Sequence, residues 1–198
     1  MADPMTELTL STLRQMLRDR QMVVLTLVGY SGAGYEHQET MLEHARRILA
    51  GADPAVTLIN IGATAGGIGA VYPIAKSLGF TTLGMVSTLA KVQNVRMSAY
   101  VDHIIYIEDE CWGGRLADSS ALSPTSAAIV EISEELAGIG GGDVARDELQ
   151  AARLAGKAVT FIPAEMNHEL ARTRAKRLGQ PAPVEFNGSA HRVFVAAD

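Results

Sequence analysis

The residues best suited to chemistry lie in three glycine-rich segments, 29–34, 62–69 and 140–142. The second, Gly62-Ala63-Thr64-Ala65-Gly66-Gly67-Ile68-Gly69, follows the apolar run 56–61 and leads into a helix-like stretch ending at Gly79. A strand that gives way to glycines and restarts as a helix leaves backbone N–H groups unpaired and facing outward. Such a turn is an anion site, and phosphate is its usual guest. Ligands of open α/β sheets bind beyond the carboxyl ends of the strands, where all three segments are expected. One glycine loop is often only a steric need of the turn; three on one fold point to a shared site. The candidate ligand contacts are Gly29, Ser31 and Gly32 in the first loop, Thr64, Gly66, Gly67 and Gly69 in the second, and Gly141 and Gly142 in the third. Tyr35 adds a second hydroxyl to the first loop.

Two common phosphate motifs are disfavoured. A P-loop ends in Gly-Lys-Ser/Thr, which follows none of these glycines. A dinucleotide fingerprint needs G-x-G-x-x-G on the first strand and an acid closing the second. Here the first loop reads G-x-x-G-x-G and the second strand ends in Asn60-Ile61, so NAD is a poor fit.

The elements that must position these loops follow from periodicity. Segment 9–20 has a helical stripe of Leu10, Leu13, Met16 and Leu17, with Thr9 or Ser11 as cap. Short apolar runs predict strands at 22–28, 56–61, 81–86, 103–107 and 158–162, with a last edge strand at 192–196. Helices are expected at about 36–50, from the second loop to about Leu78, at 145–154 and at 167–178. Pro73 is tolerable only in a first helical turn. Strands alternating with helices imply right-handed βαβ units. The expected fold is therefore α/β, a three-layer α/β/α sandwich with a mainly parallel, Rossmann-like sheet. The stretch 108–124, with its acids, Gly113-Gly114, serines and a proline, reads as a long loop of the lid or binding type.

At 198 residues the chain suits one domain, spanning 1–198 with residues 1–21 as an N-terminal helical extension. Its 47% hydrophobic and 20% charged content is that of a compact globule. A net charge of −5 argues against nucleic acid as partner. No run is long enough to span a bilayer, and Met1-Ala2-Asp3-Pro4 does not read as a signal peptide. A single cysteine fits a cytoplasmic protein.

Other side chains carry weaker signals. His37 and His44 are seven apart among Glu36, Glu39 and Glu43, which reads as a solvated helix face. His103, His168 and His191 have no ligand spacing, so no metal site is expected. Cys111 beside Trp112 reads as a structural thiol. Arg172, Arg174, Lys176 and Arg177 suit a helix C-terminus.

The segment Gly66-Gly67-Ile68-Gly69-Ala70-Val71-Tyr72, with Ala75, Gly79 and Gly84, resembles the glycine-rich segment of the SLOG superfamily. That group includes the LOG ("lonely guy", lysine decarboxylase-like) proteins. A second LOG hallmark is P-G-G-x-G-T-x-x-E, and residues 141–148 keep its double glycine and place Glu148 at its glutamate. Gly156-Lys157-Ala158-Val159 is similar to the G-K-P-V that follows. Ile139-Gly140, Val144 and Ala145 depart from the pattern, and the insert before Gly140 is longer than in that family. The resemblance covers roughly residues 22–162.

What it implies is a nucleotide-like small-molecule ligand, no cofactor, and a homodimer or higher homo-oligomer. LOG enzymes hydrolyse the N-glycosidic bond of nucleoside 5′-monophosphates. That chemistry asks for a phosphate cradle, a carboxylate and a cation. The resemblance makes Glu148 the catalytic carboxylate and Arg96 the catalytic cation, with Arg115 and Arg146 as rivals. The alternative is a non-catalytic nucleotide sensor.

Overall fold

The computed structural model describes residues 5–117 and 119–195; the N-terminal tetrapeptide read above for a leader lies outside them. Seven parallel strands form the sheet. They are β1 (Thr6–Glu7), β2 (Val23–Gly29), β3 (Thr57–Asn60), β4 (Thr81–Ser87), β5 (His103–Ile107), β6 (Glu135–Ile139) and β7 (Ala158–Ile162). Their order is β1-β5-β4-β3-β2-β6-β7, and every pairing is parallel. The helices are α1 (Leu10–Asp19), α2 (Gln38–Ala50), α3 (Tyr72–Ser77), α4 (Leu89–Val92), α5 (Pro124–Ile132), α6 (Asp143–Leu154), α7 (His168–Arg177) and α8 (Ser189–Phe194). A 3-10 turn, Gly67–Val71, leads into α3.

The layering follows from the period of two along a strand. In β2, Val24 and Val28 pack with Leu13 of α1, Ile129 of α5 and Leu149 of α6. Leu25 and Leu27 face the other way, onto Met41 and Ala45 of α2 and Ala75 of α3. The expected three-layer α/β/α architecture is therefore present. From β2 the chain builds outward through β3, β4 and β5, then returns to β6 on the other flank of β2. That reversal opens a crevice at the carboxyl ends of β2 and β6.

Most expected elements appear within two residues of their predicted bounds, and Pro73 occupies the first turn of α3. Three differ. Residues 192–196 were expected as an edge strand, yet 189–194 are helical, with Ala196 outside the described residues. Ala190 and Phe194, four apart, share a face. Ala190 is fully buried and Phe194 stacks on Phe161 of β7 at 5.3 Å. A helix α5 and a strand β6 also occur where the sequence shows no clear pattern. β6 reads Glu-Leu-Ala-Gly-Ile, poor in β-branched residues, and owes its place to packing. A Cβ at Gly138 would lie 2.6 Å from the Leu149 side chain, so the strand admits glycine there and α6 closes over it. Finally, the N-terminal segment joins the sheet: β1 pairs with β5, and Leu13 is fully buried.

Buried tyrosine hydroxyls fasten the loops where the strands end. Tyr72 Oη accepts from the N–H of Ile61 (3.1 Å) and Ala63 (3.0 Å) and donates to the Leu83 carbonyl (2.7 Å). Tyr35 Oη accepts from the Tyr30 N–H (3.1 Å) and donates to the Ile139 carbonyl (2.8 Å), tying the β2 exit to β6. Burial pushes both phenols above their ordinary pKa, so they remain neutral donors.

Tyr72→Phe deletes only the hydroxyl and leaves buried backbone groups at the β3 exit without it. At roughly 1–3 kcal/mol per unsatisfied group, the variant should lose about 2–4 kcal/mol in urea unfolding. A loss under about 1 kcal/mol contradicts the role given to this hydroxyl.

Candidate functional site

A cleft of about 470 Å³ opens at the carboxyl ends of β2, β3 and β4, within the usual range for small-molecule sites. The β2 exit contributes Gly29, Ser31 and Gly32, and the β3 exit contributes Gly62 and Thr64. Thr125 and Ile129 of α5 and Val144, Ala145 and Glu148 of α6 also line it. Val95, Met97 and Trp112 come from the connections that follow β4 and β5.

Of the residues expected from sequence, Gly29, Ser31, Gly32, Thr64 and Glu148 line the cleft. Gly66, Gly67, Gly69, Gly141 and Gly142 do not. Gly67 and Gly69 serve close approach instead. Gly67 has φ +56°, and a Cβ there would collide with the carbonyls of Tyr30 and Ser31. One at Gly69 would collide with the Thr64 carbonyl. The two glycine loops are thus packed on each other, with the Ile68 N–H donating to the Tyr30 carbonyl at 2.7 Å. Gly66 is exposed, and a side chain there would meet open space. The N–H groups of Gly66 and Gly67 find no acceptor among the described residues, nor do those of Asp143, Val144 and Ala145 in the first turn of α6. The Gly141 carbonyl accepts from the Ala190 N–H (3.2 Å), which turns that glycine toward α8.

Arg96 is exposed and stands outside the cleft lining, although Val95 and Met97 beside it are part of it. Both rivals are committed elsewhere. Arg146 binds Asp147 (2.8 Å) and Asp143 (2.8 Å), and the Arg115 guanidinium lies 3.6 Å from Asp147. Among the described residues no arginine or lysine lines the cleft. No group of acids, histidines and cysteine there is arranged to hold a metal ion.

Among the described residues Glu148 is the ionisable group of the cleft lining. It lies on the inward face of α6 with Ala145, Leu149 and Ala152, and is 4% exposed. Burial raises its pKa to about 7; the Ser126 hydroxyl, donating to Oε1 at 2.6 Å, opposes the rise, and the neighbouring Asp147 adds to it. Ser126 Oγ in turn accepts from the Gly114 N–H at 2.8 Å. The long loop after β5 therefore reaches Glu148 through one serine.

Several lining groups escaped sequence reading. Thr26 is a lone hydroxyl in an apolar strand. It accepts from Asn60 Nδ2 (3.2 Å) and pairs with Ser133 Oγ (2.6 Å), forming a buried polar ladder under the cleft. The same Asn60 accepts from the Met85 N–H (3.1 Å). A polar residue inside an apolar strand was the available signal. Thr125 and Trp112 had none, because α5 and the loop fold around them only in three dimensions.

No family model matches this chain, and no curated protein matches it in sequence. Among the solved structures that share its fold are two at low identity. One is the X-ray structure of TM1055, a structural-genomics target, at 19% identity and TM-score 0.50, covering 70% of this chain and 72% of the other. The second is the Moco carrier protein from Chlamydomonas reinhardtii, at 18% identity and TM-score 0.50, covering 79% and 84%. At such identities the likeness concerns the fold alone. Among the described residues no helix is long and apolar enough to cross a membrane.

The acid makes stability depend on pH. Between about 4.5 and about 7 the folded protein holds a proton on Glu148 that the unfolded chain has released. Stability from this group is therefore complete below pH 4.5 and is lost as pH rises through 7. Urea unfolding of wild type and Glu148→Gln at pH 5 and pH 8 checks this. The wild type should fall against the variant by on the order of 3 kcal/mol between the two. A constant difference contradicts the raised pKa.

Proposed function

We propose that the protein binds a phosphorylated nucleoside or a closely related ligand in this cleft. One observation carries the reading: two packed glycine loops and the first turn of α6 meet at a cleft on the carboxyl ends of β2, β3 and β4. The unpaired N–H groups of Gly66 and Gly67, between the lining residues Thr64 and Ile68, and those of Val144 and Ala145 in the lining itself can hold a phosphate at the cleft edge without a side-chain cation. The SLOG resemblance supports the same reading, as does a fold shared with the Moco carrier protein. A cytoplasmic setting and a homodimer belong with it.

A second reading is hydrolysis of the N-glycosidic bond of a nucleoside 5′-monophosphate, and Glu148 favours it. Water adds to the ribose C1′, the bond to the base breaks, and the base leaves with a proton. A carboxyl titrating near 7 can deliver that proton or accept one from the water. Arg96 stands away from the cleft, and Val144 and Ala145 replace two family residues, so the binding reading leads.

Thermal melts with a panel of nucleoside 5′-monophosphates test binding. A ligand at about a hundred times its Kd should raise Tm by several degrees. No shift with any member overturns the reading. Release of free base and ribose 5-phosphate in the same tubes identifies the hydrolase, and Glu148→Gln should then cut turnover at least about 100-fold. Stabilisation without release identifies the binding protein.

A further inference from the structure

Trp112 is the only tryptophan in the chain, lies in the cleft lining, and is 44% exposed. The loop that carries it is tethered on both sides. The Cys111 N–H donates to Asp109 Oδ1 at 3.0 Å, and Asp109 Oδ2 accepts from the Thr125 N–H at 2.8 Å. Downstream, Gly114 N–H donates to Ser126 Oγ (2.8 Å) and Arg115 N–H to Asp147 Oδ2 (3.0 Å). Between them Gly113, at φ +124°, sits so close to α5 and α6 that a Cβ would lie 2.9 Å from Ser126 Oγ and 3.1 Å from Val144 Cγ1. The backbone that carries the indole is thus fixed on both sides, and a large apolar side chain is kept partly in water at a cleft edge.

The second observation is independent. Thr125 is 2% exposed and lines the same cleft; its buried hydroxyl lies beside the Asp109 carboxylate without completing a hydrogen bond of good geometry. A buried hydroxyl without a partner is destabilising, and such groups in native proteins usually await a water or a ligand. Val95, Met97 and Val144 supply further apolar lining, and no lysine or arginine joins them among the described residues.

We propose that the cleft reads a planar nitrogen heterocycle, stacked on Trp112 and hydrogen-bonded at its edge by the Thr125 hydroxyl. This rests on the nucleoside-like reading and names the part of the ligand that gives specificity. An indole face binds any flat ring, whereas a fixed hydroxyl distinguishes rings by their edge atoms. Stacking is therefore the source of affinity and Thr125 the source of selection.

Because Trp112 is the sole tryptophan, its emission reports this site directly. The protein is titrated with adenosine and guanosine 5′-monophosphates, with ribose 5-phosphate as a ring-free probe, and with free adenine and pterin as phosphate-free probes. Ring-bearing probes should quench the emission saturably, and ribose 5-phosphate should not. Trp112→Ala, with folding checked by circular dichroism and melting, should weaken nucleotide binding at least about tenfold by calorimetry, and Trp112→Phe should recover part of it. Thr125→Val, with folding checked in the same way, should weaken the preferred ring about fivefold or more while leaving ribose 5-phosphate unaffected. If nucleotides raise Tm but leave the emission and the Trp112→Ala affinity unchanged, stacking is overturned while nucleotide binding stands. If no nucleotide raises Tm yet adenine or pterin quenches, the ring site stands and the phosphate reading falls. Absence of quenching by every ring overturns the proposal.

Discussion

Where a parallel strand ends, its last N–H and C=O groups lose their ladder partners, and burial makes that loss expensive. In this protein the hydroxyl of Tyr72 takes two N–H groups at the β3 exit and a β4 carbonyl, while that of Tyr35 takes one N–H at the β2 exit and a β6 carbonyl. The cleft depends on these contacts. They let the chain leave the sheet early, fold the two glycine loops against each other, and keep the space above the strand ends open. The loop-to-loop contact in turn demands glycine at 67, where the Tyr30 and Ser31 carbonyls occupy the place of a side chain, and the turn within the second loop demands it at 69, where the Thr64 carbonyl does. Glycine here is first an architectural requirement, and the free N–H groups of Gly66 and Gly67 are the chemical consequence.

Charge is kept outside the cleft. Asp147 draws Arg115 and Arg146 to the outer side of α6, and Lys76 is spent on Asp102 at the other end of the sheet. What lines the cleft is apolar, hydroxyl or amide, with Glu148 as the one ionisable group among the described residues. A buried acid without a cation holds its proton into the neutral range, and the Ser126 hydrogen bond limits rather than cancels that tendency. Backbone dipoles for an anion and neutral groups for the remainder form a consistent division of the site.

The sheet was largely legible because parallel strands are short apolar runs set between helical stripes, and five of the predicted strands stand where expected. β6 was not, since its Ala-Gly pair has weak strand propensity and its position is fixed by Leu149 and Phe161 packing over Gly138. Residues 192–196 misled for the converse reason: β-branched valines suggested a strand, but an aromatic stack on β7 and burial of Ala190 favour a helix. In the site, Glu148 and the first-loop residues were found by motif spacing. Arg96 was placed by the same kind of resemblance, and the structure puts it on an exposed connection. Trp112, Thr125 and Ser126 become neighbours of Glu148 only through a loop and helix of ordinary composition, which no local pattern encodes.

The central claim is that loop amides and the α6 turn hold a ligand phosphate in this cleft. Amide chemical-shift mapping with a nucleoside 5′-monophosphate tests it most directly. The account predicts saturable shifts concentrated at Gly32, Thr64, Gly66, Gly67, Val144 and Ala145. Shifts confined to other surfaces, or none at millimolar ligand, would contradict it.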